Sequence, residues 1–458
     1  MAGKTKTYSI HLIIALLCLF IPMLVAFKKY QSRDKSLGED NLDYNKPNLT
    51  GLVISNTRPE YSLNSWLDGS YQKQSEDFND DRWAFKEWMV RANNQLYYAC
   101  FNQIRVNNFV IGKNDYVFSE SYIFSAFGDD LVKEEKVMSL MQKAKVVQDT
   151  LRKKGIDLLL VYAPGKGMGC KEFVEDKYVH PIKATNHGYF AKHSKSLGVN
   201  HLDLYSYFES LKAKSPYPLF PKFGHHWSYY GECLAVDTLI KHIEKLHRCD
   251  LPNMVWSSVE VVDSARSRDA DVLKSMNLLH NPEQNMKLAY PQIQFEDDSL
   301  KNSTRVLTIS DSYWYGPVYM GVPTNCFAGG QFWYYNNKVI PSPVPGQKVE
   351  VWELDFKKEI ESNAVIMLLY SDGNLPAFGN TFIADAYELY TSPSTYYARA
   401  ERNKLLQSYA KQIRESPALL KKSTQKSNQL NIPLDSAIKL DAAKMAGIDN
   451  STQASNTQ

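Results

Sequence analysis

The stretch Arg305–Gly316, R-V-L-T-I-S-D-S-Y-W-Y-G, carries the apolar, β-branched run Val306–Ile309 straight into a small polar turn. That pattern predicts a buried strand that stops abruptly, with Ser312 just past its C-terminal end, where open α/β sheets present groups to ligands. A serine so placed can be a nucleophile if an imidazole reaches its hydroxyl and N–H donors face the developing oxyanion. Two other strings could supply those partners. Gly224-His225-His226-Trp227-Ser228 follows the turn Pro221-Lys222-Phe223, and either histidine there could act as general base. Ser371-Asp372-Gly373-Asn374 follows the apolar run Ala364–Tyr370, and the Asn374 amide could donate to an oxyanion. Taken singly, each string also reads as ordinary structure: a polar turn, a satisfied histidine, an Asn-Gly-type turn.

The elements that must position these groups alternate strand and helix. Val132–Lys154 is a charged amphipathic helix closed by Gly155. Ile156–Ala163 is a near-continuous apolar run, the mark of a strand buried on both faces. A helix over Asn186–Leu197, a strand over Val199–Leu204, and helices over Tyr205–Ala213 and Tyr229–Leu246 follow, as in a parallel sheet. Phe109–Phe118 reads as two short strands joined by Gly112–Asp115. Pro164-Gly165-Lys166-Gly167 is not a phosphate loop, since the spacing is wrong and no Ser or Thr follows the lysine. Leu251–Arg305 breaks the alternation: Val259–Val262 suggests a strand, and the rest scatters Asn, Asp and Pro like an excursion from the sheet. Glu350–Ser362, Tyr396–Glu415 and Leu434–Met445 read as helices, as do segments of the aromatic-rich Ser65–Phe101.

Composition sets the class. Of 458 residues, 44% are hydrophobic and 22% charged, which is ordinary for a globular protein. A formal net charge of +3 makes no case for nucleic-acid binding. The six cysteines form no C-x-x-C pair, so neither a zinc site nor a dense disulfide framework is expected, and no metal or cofactor is implied. The 29 tyrosines offer flat apolar faces with polar tips, suited to sugars and equally to cores. Near the N-terminus, Lys4 and Lys6 precede the apolar segment Ile10–Phe27, and Lys28 and Lys29 follow it. About 18 apolar residues is near the lower limit for a spanning helix, and no A-x-A cleavage site follows. An uncleaved anchor in a bacterial inner membrane is expected, with the soluble domain in the periplasm.

Together the three strings resemble the SGNH (GDSL) hydrolases. Ile309-Ser310-Asp311-Ser312 is similar to that family's G-D-S block, with Ser310 in place of glycine, and Ser371–Asn374 to the block with its oxyanion asparagine. The histidine block here precedes the serine. That order is similar to the alginate O-acetyltransferase branch, as are V-I-G-K-x-x-x-x-F at Val110–Phe118 and A-P-x-K at Ala163–Lys166. The resemblance implies an α/β, three-layer SGNH-like domain with a central parallel sheet and permuted block order, preceded by an N-terminal transmembrane helix. Ser312 would carry acetyl as an ester and His226 would serve as base. The oxyanion donors would be the Ser312 N–H, Gly329 or Gly330, and Asn374. Trp227, Tyr313 and Trp314, beside these blocks, would face the sugar. The acetyl donor would be a membrane-bound O-acyltransferase and the acceptor a polysaccharide.

One departure stands out. The branch carries D-x-H-W, whereas this chain has Gly224-His225-His226-Trp227, so the aspartate that orients the imidazole is missing. Asp203, at a strand end, is a candidate substitute, although an N-cap before Tyr205 is its ordinary role; His225 is a rival base. The readings left open are O-acetyl transfer to an extracellular or periplasmic polysaccharide, removal of acetyl groups from glycans by an esterase, and an inactive glycan-binding or scaffold component of an export complex. The expected organisation is a cytoplasmic N-terminus (1–9), an anchor (10–27), a linker (28–52), the SGNH-like domain (53–395, with 251–305 a candidate insertion), C-terminal helices (396–448) and a disordered tail (449–458).

Overall fold

The computed structural model describes residues 48–51, 58–81, 85–296 and 304–448, with isolated positions besides. The expected anchor over 10–27, most of the 28–52 linker and the 449–458 tail lie outside the described residues. Among the described residues, no helix is long and apolar enough to cross a membrane.

Strands β1 (Phe109–Ile111) and β2 (Val117–Ser119) form an antiparallel hairpin with Val110 opposite Phe118. Asn114 and Asp115 turn it with φ of 56° and 59°, a conformation these two residue types tolerate. Next come β3 (Asp157–Ala163) and β4 (His201–Asp203). β5 (Met254–Val262) and β6 (Leu288–Phe295) pair with each other as a separate antiparallel ribbon. The remaining strands are β7 (Val306–Ser310), β8 (Phe332–Tyr334), β9 (Lys338–Ile340) and β10 (Val365–Ser371).

The main sheet has six strands in the order β4-β3-β10-β7-β8-β9. From β4 to β8 neighbours are parallel, while β9 runs antiparallel to β8. The sheet is therefore mixed rather than all parallel. A tight turn with φ of 51° at both Tyr335 and Asn336 folds the chain straight back onto its own strand, which only an antiparallel partner permits.

The three layers follow from strand alternation. Leu159, Val161, Met367 and Leu369 point to one core, packed beneath the helix Tyr229–His247 through Val236, Leu239 and Ile240. Leu158, Leu160, Ile366 and Leu368 point to the other, covered by Glu134–Arg152 through Val137, Met141 and Val147, and by Phe382–Thr391. The excursion over 251–305 is the β5–β6 ribbon with a long connection, which contains the short helix Asp271–Ser275. Glu350–Ser362 divides into a single turn and the helix Phe356–Glu361, because Asp355 caps the latter by accepting from the Lys358 N–H. A helix at Pro417–Leu430, which the sequence pattern did not indicate, joins the two C-terminal helices.

Candidate active site

β7 ends at Ser310, and Ser312 opens a one-turn 3-10 segment that leads into the helix Tyr315–Met320. Asp311, between them, is fully buried and acts as a staple. Its Oδ1 accepts from the Tyr313 N–H at 2.9 Å. Its Oδ2 accepts from the Ser371 N–H at 2.8 Å, the Ser371 hydroxyl at 2.7 Å and the Asn374 amide at 2.8 Å. The serine turn is thus tied to the end of β10. Ser312 itself stays partly exposed, so its hydroxyl can be reached.

The histidine loop meets this turn from the neighbouring layer. His226 Nε2 lies 2.9 Å from Ser312 Oγ. Its ring packs edge-on to Tyr313, with centroids 5.0 Å apart. Lys166 holds the loop from below, donating to the carbonyls of Lys222 at 2.7 Å and Gly224 at 3.1 Å. Burial lowers the Lys166 ammonium to about 7. Ser228 donates to the Pro218 carbonyl at 2.6 Å and caps the helix that follows. His225 faces the other way: it stacks on Tyr122 at 4.7 Å, and its Nδ1 is buried without a partner. Burial, and then the neighbouring His226, push its imidazole down to about 3, so it stays neutral and away from Ser312.

The acid comes from a place that no sequence spacing marked. Asp271, the first residue of the short helix in the excursion, puts Oδ2 3.5 Å from His226 Nδ1. That is ion-pair range and longer than a well-formed hydrogen bond, and catalytic contacts of this kind often tighten only when substrate is bound. Oδ1 accepts from the N–H groups of His225 at 3.0 Å and Val272 at 2.8 Å. Burial alone would raise this carboxyl; the facing His226 imidazole, with the His225 N–H, outweighs it and holds the pKa below the ordinary value. The aspartate absent before His226 is therefore replaced in space by one that follows it in the chain. The only sequence signal was an aspartate at the start of a short apolar helical run.

Other expected positions fall elsewhere. Asp203 caps the helix Leu204–Leu211, accepting from the Ser206 N–H at 3.0 Å, and lies 2.9 Å from His187 Nε2. It ends β4, three strands from β7 and so about 14 Å across the sheet, too far to orient His226. Gly329 and Gly330 precede β8, which is parallel to β7, so they sit at the opposite end of the sheet from Ser312. A Cβ on Gly330 would lie 1.9 Å from the Val306 carbonyl oxygen, roughly 20 Å of strand away from the serine. They are not oxyanion donors. The Asn374 amide gives its hydrogens to Asp311 and, at 3.1 Å, to the Ser371 hydroxyl, so it braces the turn rather than facing an oxyanion. Trp227, Tyr313 and Trp314 are buried rather than presented to a sugar. Tyr313 donates to the Pro164 carbonyl at 3.0 Å, and the Trp227 indole to Glu232 at 3.0 Å.

Residues 109–303 match the family model described as the SGNH hydrolase-like domain of the acetyltransferase AlgX. The matched stretch contains His226 and Asp271 and stops short of Ser312. Among solved structures, the O-acetyltransferase domain of Pseudomonas putida AlgJ is similar, at 18% identity and a TM-score of 0.40, over 61% of this chain and 99% of that one. Pseudomonas aeruginosa AlgX is similar at 14% identity and a TM-score of 0.39, over 65% and 70%. Bacillus cereus PatB1 gives 12% identity and a TM-score of 0.37, over 58% and 97%. No curated protein sequence matches the chain.

Proposed function

We propose that this protein transfers an acetyl group, through an ester on Ser312, to a hydroxyl of an extracellular or periplasmic polysaccharide. The observation that carries this reading is the 2.9 Å contact of His226 Nε2 with Ser312 Oγ, in a domain of acetyltransferase type. In the first half-reaction Nε2 takes the Ser312 proton while Oγ attacks the acetyl carbonyl. The tetrahedral intermediate collapses, and the imidazolium returns that proton to the leaving oxygen of the donor. In the second half, Nε2 removes the proton of a sugar hydroxyl, whose oxygen attacks the serine ester, and Ser312 leaves with the proton. Asp271 Oδ2 faces Nδ1 and stabilises the imidazolium formed in both halves. The Ser312 N–H opens a helical turn, where the first N–H groups lack intrahelical partners and suit an oxyanion.

A membrane-bound O-acyltransferase is the proposed donor, with the chain anchored beside it by 10–27. The missing D-x-H-W aspartate was the reason to consider an inactive scaffold; Asp271 supports an active enzyme instead. The test compares wild type with Ser312→Ala on a chromogenic acetyl ester, with mass spectrometry of the protein for acetyl-Ser312. A loss of at least ~10³-fold, with acetyl trapped only on the wild type, is expected. Equal rates in the two proteins exclude Ser312 as nucleophile.

A further inference from the structure

A cleft of about 630 Å³ borders the two segments that carry the catalytic pair. Trp227, next to His226, forms part of its wall, as does Gly316, about one helical turn past Ser312. Its volume is in the range of ordinary small-ligand clefts, roughly 300–1,000 Å³. Gly316 makes the cleft's floor compact: a Cβ there would stand 1.6 Å from Glu232 Oε1 and 1.7 Å from Arg268 Nη1. The backbone of the nucleophile's helix therefore rests directly on an ion pair, with Arg268 donating to Glu232 at 3.0 Å and the Trp227 indole donating to the same oxygen.

The charges in this cleft are matched. Arg268 is held by Glu232, and Arg266 is clamped by Glu260 at 2.8 and 2.5 Å while lying over the Tyr290 ring. The two arginines thus have two carboxylates, before Asp269, a further carboxyl in the wall, is counted. Among the described residues the wall carries no excess of positive charge for an anionic ligand. These carboxylate and guanidinium groups offer paired acceptors and donors for neighbouring hydroxyls, and Arg268 Nη2, buried without a hydrogen-bond partner, is a donor still free. Tyr229 and Tyr319 add flat faces for the apolar side of a sugar ring, and Tyr319 is 77% exposed at the rim.

We propose that this cleft is the acceptor subsite and that it takes a neutral, hydroxyl-rich glycan rather than a uronate. The proposal rests on the acetyl-transfer reading for its purpose, while its test does not depend on turnover. Binding of neutral hexasaccharides (cellohexaose and mannohexaose) and of a mannuronate hexamer is measured by calorimetry in a Ser312→Ala background. A neutral hexasaccharide is expected to bind at least ~10-fold more tightly than the uronate. Adding Tyr319→Ala, an exposed position whose loss spares the fold, is expected to weaken that binding at least ~10-fold. Arg266→Ala provides a second probe in the same cleft, with the same direction of effect. Tighter binding of the uronate, no binding of either neutral glycan, or affinity unchanged in both wall variants overturns the proposal. Failure of the ester assay with intact glycan binding would instead overturn the transfer reading and leave the subsite standing.

Discussion

Two aspartates flank the site, and they are held in opposite ways. Asp311 is adjacent to the nucleophile, yet both its oxygens are occupied by donors from its own turn and from the end of β10. Asp271 comes from a ribbon outside the sheet and is anchored by one oxygen only, with the other turned to His226 Nδ1. The difference separates a structural carboxylate from a functional one. Proximity in sequence to Ser312 does not select the acid; an oxygen left available to the imidazole does.

Substitutions can break this contrast. Asp311→Asn replaces an acceptor by a donor facing the Ser371 N–H and the Asn374 amide. It is expected to cost about 3–4 kcal/mol of stability, read as a large drop in the urea midpoint. A midpoint unchanged from wild type would show that the staple does not hold the sheet. Asp271→Asn should leave the unfolding midpoint nearly in place and lower kcat on the chromogenic ester about 10²-fold, with little change in KM. A kcat within threefold of wild type would remove Asp271 from the mechanism.

A third carboxylate sharpens the comparison through pH. Asp372 is buried with Oδ2 unpartnered, and burial raises its pKa from 3.8 to about 7. The folded state therefore keeps a proton that the unfolded chain releases, so this group's contribution falls as pH rises from about 4 to 7. Asp372→Asn is expected to raise the melting temperature at pH 8 and to leave it unchanged at pH 4; equal shifts at both would contradict the assignment. The smallest effect is expected for Asp203→Ala: ester hydrolysis within twofold of wild type, with a modest loss of stability from the missing helix cap, about 1 kcal/mol. A large drop in kcat there would return Asp203 to the site.

What could be read from the sequence follows the sheet. The apolar runs that become β3, β7 and β10 are buried on both faces, and their C-terminal ends carry the groups singled out there. Pairing Ser312 with His226 needed only that logic and block order. Asp271 was hidden because its ribbon belongs to no strand–helix alternation and its helix is a single short turn. Gly329 and Gly330 were misplaced because position between two blocks says nothing about which end of the sheet a residue occupies; the parallel run of β8 decides that. The aromatic neighbours were misread because Tyr313 serves as a wedge between the histidine loop and Pro164, a packing role that residue type alone does not disclose.

The place of β10 has a consequence for how the molecule is made. It is the last strand among the described residues, yet it fills the slot between β3 and β7. Until residues 365–371 leave the ribosome, the two halves of the sheet have no common neighbour and Asp311 has no Ser371 to grip. Serine, histidine and acid have all been synthesised by then, but nothing aligns them. The site is completed by this final central strand, and a chain cut short before it carries all three groups without aligning them.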